Sequence, residues 1–475
     1  MADPRSKPGS PRRPGGRPPP KRVVDPARLA AYDVLKAVRL DDAYSNLVLP
    51  QILRQHQLTG RDAAFATELV AGTLRRRGTY DAIIAACLDR PLARVEAKVL
   101  DALRLGVHQL LGMRVPSHAA ISTTVDLVRA RVGRGPAGFT NAVLRHVSEA
   151  DLTTWIRRVA PTAGDDPVGH DAIAFSHPRW VVEEFQRALT RGGSVDPDEL
   201  EALLAADNES PRVVLVARPG LASVAELPGT PTPFSPYGME LDGGDPGAIA
   251  AVAEGRAGVQ DEGSQLAALA LAAAPLEGRD KHWLDLCAGP GGKAALLAGL
   301  AAQIGAGVIA VEKQPHRAEL VRRALGGAHP VPGVIDVIVA DGTEPTWSLA
   351  SFDRVLVDAP CSGLGALRRR PEARWRRTAA DLDDLVPLQR ALLNAALDSV
   401  RPGGVVLYVT CSPVLAESRD VVRAVTSHRS DTTLESLAGL LPEIPDCAGP
   451  LPGTIQLWPH RHRTDAMFLA LLRRR

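Results

Sequence analysis

Two cysteines in this sequence lie where a thiol could act as a nucleophile, directly after short apolar runs. Cys361 follows FDRVLVD in the segment DAPCSG, and Cys411 follows VVLYV in the segment TCSP. A cysteine thiolate is a nucleophile, whereas a cysteine buried among apolar groups only packs. Because both thiols come just beyond strand-like runs, and Cys361 is close to Asp358, the pattern favours nucleophilic chemistry over packing.

A glycine-rich stretch, WLDLCAGPGGK, runs from Trp283 to Lys293 and joins an apolar run to the helical-looking AALLAGLAA. A phosphate-binding P-loop would need glycine at Cys287 and Ser or Thr at Ala294. The segment GPGGK also fails the G-x-G-x-x-G pattern of dinucleotide-binding loops. The ligand that remains is an adenosyl group with a sulfonium and an amino-acid tail, which is S-adenosylmethionine.

Acidic residues end the strand-like runs that follow this loop. VIAVE ends on Glu312, VIDVIVAD on Asp341 and FDRVLVD on Asp358. An acidic residue about twenty positions after a glycine loop can accept the ribose hydroxyls of an adenosyl ligand, which is the role predicted for Glu312. The joint pattern predicts an α/β fold with a doubly wound, mostly parallel sheet and S-adenosylmethionine-dependent methyl transfer.

A methyltransferase needs a thiol only for some acceptors. Carbon 5 of a pyrimidine becomes nucleophilic when a thiolate adds to carbon 6; methyl transfer, loss of the carbon 5 proton and elimination of the thiol then follow. The runs before Cys361 and Cys411 should be neighbouring strands about 4.8 Å apart, so both thiols should reach one cleft. The pair therefore predicts an RNA cytosine carbon-5 methyltransferase.

Composition restricts the class of protein. The 475 residues are 45% hydrophobic, which suffices for packed cores, and no apolar run approaches the roughly 18 residues of a membrane span. Five scattered cysteines without a CxxC motif argue against a disulfide framework or a metal site and for a reducing, cytoplasmic location. No signal peptide is visible, so we expect a cytoplasmic location without membrane contact. We also expect the protein to be a monomer.

Four segments are predicted along the chain. They are a disordered basic tail at 1–26, an all-helical domain at 27–150, a small α/β lead-in domain at 151–254 and the catalytic domain at 255–475. The stretch 27–149 carries 17 Lys and Arg against 11 Asp and Glu, a net +6 in a chain whose total is +2, as an RNA-docking module would require. Within the lead-in domain, the Pro- and Gly-rich stretch 219–247 is predicted to be a long surface connection.

An arginine-rich stretch after Cys361 is a second candidate RNA contact. It contains Arg368, Arg369, Arg370, Arg374, Arg376 and Arg377, interleaved with Trp375. Arginine forks bind phosphates and an indole can stack on an unpaired base, so this stretch is expected to lie against RNA near the thiols.

Sequence motifs of this chain resemble those of two known families. LVAGTLRRRGTYD, LRLGVHQLLGMRVPSHAAI and GFTNAVLRHV resemble the NusB fold as it occurs fused to certain RNA methyltransferases. LDLCAGPGGK, DAPCSGLGALRRRPEARW, TCSPVLAES and HRTDAMFLALL resemble the bacterial small-subunit ribosomal RNA cytosine-5 methyltransferases called RsmB, Sun or Fmu. The resemblance implies a NusB-like RNA-binding domain, a class I, Rossmann-like methyltransferase domain, and 16S ribosomal RNA as the partner.

The same resemblance implies roles for individual residues. The cysteine of the TC motif, Cys411, would be the nucleophile, and that of the PC motif, Cys361, would assist release of the methylated base. Asp358 and Lys293 would contact the target base. The implied cofactor contacts are Cys287, Ala288, Gly289, Pro290, Gly291, Gly292, Lys293, Glu312, Asp341 and Asp358. Two residues depart from the family pattern: Glu312 stands where Asp is frequent, and Ala466 where Gly is common.

Three functions stay open at this point. The first is methylation of 16S ribosomal RNA, and the second is the same chemistry on transfer RNA, which the catalytic motifs do not exclude. The third is a non-catalytic RNA-binding assembly factor that retains the fold, against which Cys411 and the intact glycine loop argue.

Overall fold

The computed structural model describes residues 24–41, 43–190, 196–326 and 329–475. Residues 1–23, which make up most of the predicted basic tail, lie outside this part of the chain, and so does the prediction of disorder made for them. Among the described residues, no helix combines the length and the apolar character needed to cross a membrane.

The N-terminal region is helical, as predicted. Its helices are α1 Pro26–Leu40, α2 Ser45–Gln55, α3 Gly60–Arg75, α4 Arg77–Ala86, α5 Ala97–Leu111, α6 Ser117–Arg131 and α7 Ala137–Val147. Asp25 caps the first of them by accepting a hydrogen bond from the backbone N–H of Arg28 at 2.9 Å, and Pro26 occupies its first turn, where a missing N–H costs nothing.

Helix α5 is the centre of this region. Its apolar spacing predicts one buried face, but Asp101 to Gln109 are buried without interruption. The polar residues inside are paired: Arg104 Nε and Nη2 each donate to Asp81 at 2.7 Å, and His108 Nδ1 lies 2.9 Å from the Tyr80 hydroxyl. Because helices α1, α3, α4, α6 and α7 all pack on α5, it is surrounded rather than amphipathic.

A lead-in region connects the helices to the main sheet. It contains α8 Leu152–Val159, α9 Pro167–Ala174, α10 Arg179–Leu189, α11 Pro197–Ala206, β1 Val213–Ala217, β2 Thr230–Pro231, β3 Gly238–Leu241, α12 Ala250–Ala253 and β4 Ala257–Val259. The strands form an antiparallel sheet in the order β2-β3-β1-β4. The predicted long surface connection at 219–247 is therefore wrong in part, because the short apolar run GMEL pairs with β1.

The rest of the chain forms a larger sheet with flanking helices. Its elements are α13 Glu262–Ala273, β5 His282–Asp285, α14 Gly292–Gln303, β6 Gly307–Glu312, α15 Pro315–Gly326, β7 Val334–Val339, β8 Phe352–Asp358, α16 Ala373–Arg376, α17 Asp381–Ser399, β9 Val400–Thr410, α18 Arg419–His428, β10 Thr432–Glu435, β11 Ile455–Gln456, α19 Pro459–His462 and β12 Phe468–Arg474.

The larger sheet has the order β10-β12-β9-β8-β5-β6-β7, with β11 paired to β12. Strands β5 to β9 pair in parallel, and β12 closes the sheet by pairing antiparallel with β9 and β10. This confirms the predicted doubly wound, mostly parallel sheet. The chain passes from β5 to β6 on one side and later to β8 on the other, so the loop after β5 lies at the switch point where such sheets bind ligands.

Helices cover both faces of this sheet, as a parallel sheet requires. On one face α13 and α14 pack with Val405, Leu407 and Val409 of β9. On the other, α17 and α18 pack with Val406 and Tyr408 of the same strand. Successive side chains of a strand point to opposite faces, so an unbroken apolar run serves both cores. The carboxyl ends of β5, β6, β8 and β9 are thereby held at one edge.

Candidate active site

The two cysteines predicted to take part in the chemistry meet at this edge. β8 and β9 are adjacent and parallel, with Asp358 opposite Val409. Cys361 and Cys411 follow these strand ends, and their Sγ atoms lie 3.4 Å apart. A disulfide has an S–S distance near 2.05 Å, so the thiols are in hydrogen-bond contact and both are free.

The contact makes the two thiols chemically different. The hydrogen bond from Cys361 lowers the pKa of Cys411, with help from the positive charges of Lys293 and Arg370 and against burial and the charge of Asp358. The same hydrogen bond, together with burial, raises the pKa of Cys361 well above that of an ordinary thiol. Cys411 is therefore the more acidic thiol of the pair.

Lys293 brings a positive charge to the thiol pair. It is the second residue of α14, and its Nζ lies 2.8 Å from Oδ2 of Asp358. Burial lowers the pKa of Lys293, but the neighbouring carboxylate of Asp358 outweighs burial and the net pKa is raised. An ammonium donor and a carboxylate acceptor thus lie side by side next to Cys411, which suits the polar edge of a planar base.

The glycines of the loop after β5 are required by close approaches. A Cβ on Gly289 would lie 2.1 Å from Oε2 of Glu312, and Gly291 has φ of 114°, in the left-handed region that favours glycine. The backbone N–H of Ala288 donates to the carbonyl of Val311 at 2.8 Å and ties the loop to β6. The loop therefore passes directly over the carboxylate that the sequence predicts to bind ribose.

Two acidic side chains end β6 and follow β7 at the same edge. Glu312 is buried, and its Oε1 accepts the backbone N–H of Gln314 at 2.9 Å. Asp341 accepts Lys313 Nζ at 2.6 Å and the backbone N–H of Thr343 at 3.0 Å. The hydrogen bond from Lys313, assisted by Thr343, lowers the pKa of Asp341 to about 2, so this carboxylate is ionised at neutral pH.

Asp285 was not among the predicted site residues. It ends β5 fully buried; its Oδ1 accepts the backbone N–H of Cys287 at 3.3 Å, while its Oδ2 has no hydrogen-bond partner among the described residues. Burial, reinforced by the nearby charge of Asp358, raises its pKa to about 7. The sequence signal for it was available, since it is the polar residue inside the apolar run WLDL.

This set of groups fits S-adenosylmethionine. The molecule carries hydroxyl, amino and ammonium donors, and the edge offers the carboxylates of Glu312 and Asp341 and the unpaired oxygen of Asp285. Gly289 has no room for a side chain, because Glu312 and Arg317 lie directly against its backbone. Among His, Cys, Asp and Glu side chains of the described ranges, no group of three could hold a metal ion.

The predicted RNA contact at the arginine-rich stretch is wrong for its buried members. Arg374 is fully buried and donates to the Ser176 carbonyl and the Asn208 side chain, each at 3.0 Å, and to the Asp207 carbonyl at 3.1 Å. Arg368 is also buried and donates to the Arg463 carbonyl at 2.9 Å. Both guanidinium groups are occupied by internal acceptors and cannot reach a phosphate.

The remaining members of the stretch also hold protein partners. Arg369 pairs with Asp261 at 2.7 Å, Arg376 donates to the backbone carbonyl of Val38 at 3.1 Å, and Arg377 lies 3.4 Å from Asp381. The Trp375 ring lies against Arg77 and Gly78 of α4. Arg370 stacks on Tyr44 at 4.8 Å and acts electrostatically on Cys411. The stretch therefore joins the main sheet to the N-terminal helices.

Comparison with known proteins agrees with both halves of the chain. The family model described as 16S rRNA methyltransferase RsmB/F matches residues 270–473, and that of the NusB family matches residues 25–149. The chain is 51% identical to a Mycobacterium tuberculosis protein named only as a methyltransferase, over 97% of this chain and 99% of that protein. It is 33% identical to the ribosomal RNA small subunit methyltransferase B of Pseudomonas syringae, over 87% of this chain and 89% of that protein.

Solved structures share the fold. The crystal structure of PH0851 superimposes with a TM-score of 0.78 at 22% identity and covers 95% of this chain and 99% of its own. The structure of NSun6 from Pyrococcus horikoshii, solved with SFG, has a TM-score of 0.51 at 19% identity and covers 62% of this chain and 98% of its own. At these levels of sequence identity, the structural similarity shows a shared fold and nothing about activity.

Proposed function

Because the chain belongs to the RsmB/F family and is an S-adenosylmethionine-dependent RNA methyltransferase, we propose that it methylates carbon 5 of a specific cytosine in 16S ribosomal RNA through a covalent adduct between Cys411 and carbon 6. The observation that carries this proposal is the 3.4 Å contact between the Cys361 and Cys411 sulfurs. Methylation of nitrogen or oxygen needs no thiol, whereas carbon 5 of a pyrimidine must first be activated.

Cys411 is the nucleophile in this proposal. A thiolate at Cys411 adds to carbon 6, and the electron pair of the ring double bond moves onto carbon 5. Its lowered pKa supports the assignment, because the fraction of thiolate at neutral pH sets the rate of attack. The charge of Lys293 stabilises that thiolate before the substrate arrives.

Cys361 acts later in this proposal. Once Cys411 is bound to carbon 6 it no longer accepts the hydrogen bond that keeps Cys361 protonated. Cys361 then assists the elimination, in which a base takes the carbon 5 proton, the double bond between carbons 5 and 6 forms again, and Cys411 leaves carbon 6 as a thiolate. The contact between the two sulfurs supports this division, since the second thiol stays next to the bond that has to break.

Lys293 and Asp358 hold the target base. The polar edge of cytosine combines hydrogen-bond donors with acceptors, and the 2.8 Å pair of Lys293 and Asp358 presents one ammonium and one carboxylate beside Cys411. A base in a stem must be splayed out before carbon 6 can meet the thiolate, and fixed polar partners compensate for the lost pairing.

The cofactor site is assigned to the loop Cys287–Lys293 together with Glu312, Asp341 and Asp358, and Asp285 is added to it. S-adenosylmethionine, when bound, supplies an electrophilic methyl group. Glu312 accepts the ribose hydroxyls, for which its burial against the glycine loop is suited. Asp285, with its unpaired Oδ2, accepts a hydrogen bond from the amino-acid tail.

The division of labour along the chain follows from charge. Residues 27–150, which together with the basic tail carry most of the positive excess, serve as the RNA-docking domain; residues 151–254 connect, and residues 255–475 perform the chemistry. The match of the NusB family to residues 25–149 and the names of the ribosomal RNA methyltransferase relatives support RNA capture by this part and favour ribosomal over transfer RNA.

Sequencing of 5-methylcytosine in RNA from cells with and without the gene tests the proposal. We expect one modified position in 16S ribosomal RNA to disappear and to return on complementation with the wild type but not with Cys411→Ala. Disappearance of a transfer RNA position instead would change the substrate. No change in any RNA, with no adduct formed in vitro, would remove the cytosine chemistry.

A further inference from the structure

A buried carboxylate behind the thiol pair has no part in the chemistry described so far. Glu417 lies between β9 and α18 and is completely buried. A buried carboxylate is costly unless hydrogen bonds replace its water shell. Its partners therefore indicate what it does.

The partners of Glu417 are the residues that directly follow the two cysteines. Its Oε1 accepts the backbone N–H of Ser362 at 2.7 Å, and its Oε2 accepts the Ser362 hydroxyl at 2.5 Å and the Ser412 hydroxyl at 2.7 Å. The two serine hydroxyls are 3.0 Å apart. One side chain thus holds both cysteine-bearing loops at adjacent positions.

Two further residues hold Glu417, one at its carboxylate and one at its backbone. Gln389 of α17 donates from Nε2 to Oε1 of Glu417 at 3.0 Å and to the Pro360 carbonyl at 2.8 Å. The Tyr408 hydroxyl donates to the backbone carbonyl of Glu417 at 2.7 Å. Gln389 belongs to α17 and Tyr408 to β9, so two elements of the rigid part of the fold hold Glu417 in place.

We propose that Glu417 is a positioning residue for the two thiols: by binding Ser362 and Ser412 together, it sets the separation of the Cys361 and Cys411 sulfurs and keeps Cys411 reactive. A hydrogen bond weakens steeply when its partners separate or turn. Loss of the link lets the two loops move independently, and Cys411 then loses the proton donor that favours its thiolate. The proposal rests on the proposed function for its meaning in catalysis, but thiol reactivity is measurable without RNA.

The test is the pH dependence of Cys411 alkylation by iodoacetamide in the full-length protein, followed by peptide mass spectrometry. Glu417→Ala should move the alkylation midpoint up by about one pH unit, which lowers the thiolate fraction at neutral pH roughly tenfold. Glu417→Gln should retain most of the wild-type profile. Its amide oxygen still accepts from the Ser362 N–H and from Gln389, and the two serine hydroxyls can turn to accept from its NH2 group.

Ser418→Ala is the matched control. Its hydroxyl is also buried in this segment but donates to the Val414 carbonyl at 2.8 Å, away from the carboxylate, so its profile should match the wild type. A folded Glu417→Ala with the wild-type profile overturns the proposal, and so does a Glu417→Gln as impaired as the alanine variant, because charge rather than position would then matter.

Ser412→Ala keeps the idea testable if Glu417→Ala does not fold. It removes one of the two hydroxyls and should shift the midpoint in the same direction by a smaller amount; an unchanged midpoint in Ser412→Ala and in Ser362→Ala contradicts the proposal. A shifted alkylation midpoint in a protein whose wild type methylates no RNA would leave the positioning role intact and remove the proposed function instead.

Discussion

The residues that follow β8, from Asp358 to Ser362, and the arginine-rich stretch from Arg368 to Arg377 differ in what their polar groups face. In the first stretch Asp358 and Cys361 are half-buried; Asp358 accepts a hydrogen bond from Lys293, and the sulfur of Cys361 contacts that of Cys411. In the second, Arg374 is buried completely and binds carbonyl oxygens of the lead-in region. The polar groups of the first stretch pair within the candidate active site, and those of the second pair with structural segments of the protein.

The type of charge on a side chain therefore does not show whether that side chain points to solvent or into the protein. A guanidinium has five N–H donors in a planar fork, and backbone carbonyls satisfy them as well as phosphates do. The arginines that look suited to RNA instead hold the N-terminal helices against the catalytic sheet, with Glu372 accepting both the backbone N–H and the hydroxyl of Ser45. The N-terminal helices and the segment that follows Cys361 are therefore held together by direct contacts.

The largest expected effect is on the thiol pair. Cys411→Ala should abolish methylation and form no adduct, because no thiolate remains to attack carbon 6. Cys361→Ala should still attack and methylate but stall with RNA attached. A denaturing gel with labelled RNA should show a slow band for Cys361→Ala only, and Cys87→Ala, in the helical region, should behave as the wild type.

A slow band in the Cys411 variant alone would exchange the two roles. It would place the nucleophile after β8 and the assisting thiol after β9. Slow bands in both variants would mean that either thiol can attack carbon 6. The difference between their pKa values would then not determine which thiol is the nucleophile.

The next effect separates two arginines of the same stretch. Arg374→Ala leaves several buried acceptors unpaired and should lower the free energy of unfolding by about 3 to 5 kcal/mol. Arg370→Ala should cost little stability, since Arg370 is only half-buried, but it should slow alkylation of Cys411 by removing a positive charge that lowers its pKa. Denaturant unfolding and iodoacetamide kinetics measure the two outcomes.

Equal losses of stability in Arg374→Ala and Arg370→Ala would contradict the assignment of different roles to these two arginines. They would indicate that both arginines are structural, and that the boundary between the catalytic and structural stretches lies closer to Cys361.

A smaller effect is expected at the cofactor site. Glu312→Ala removes a charge-assisted acceptor and should weaken S-adenosylmethionine binding by roughly 1.5 to 3 kcal/mol. Calorimetry measures it, with Glu319→Ala, an exposed carboxylate on α15, as the control. Unchanged affinity in Glu312→Ala would remove this residue from the site.

A further expected effect concerns pH. Burial raises the pKa of Asp207, which lies beside Arg374, to about 7. Because the folded pKa lies above the unfolded value, its contribution to stability is complete below about pH 4 and is lost as the pH rises through about 7. Asp207→Asn cannot ionise, so its Tm should fall less than that of the wild type between pH 4 and 8. Glu201→Gln, at an exposed position of α11, should keep the wild-type slope.

The sequence by itself determined the catalytic edge. Apolar runs that end in Glu312, Asp358 and Cys411 predicted parallel strands, and parallel strands deliver their carboxyl ends to one edge whatever surrounds them. The glycine loop was predictable from its motif, since the left-handed φ of 114° at Gly291 is a local requirement that favours glycine. Local spacing and local conformation were enough for these features.

Three features depend on the tertiary structure alone: the burial of the Arg374 side chain, the raised pKa of Asp285 and the hydrogen-bond partners of Glu417. Arg374 binds Ser176, which is 198 positions away along the chain, and Glu417 binds Ser362, which is 55 positions away. The pKa of Asp285 depends on its burial and on Asp358, on another strand. The burial and the hydrogen-bond partners of a side chain depend on which segments pack around it. Those segments are distant in the sequence, and their spacing along the chain does not show that they are in contact.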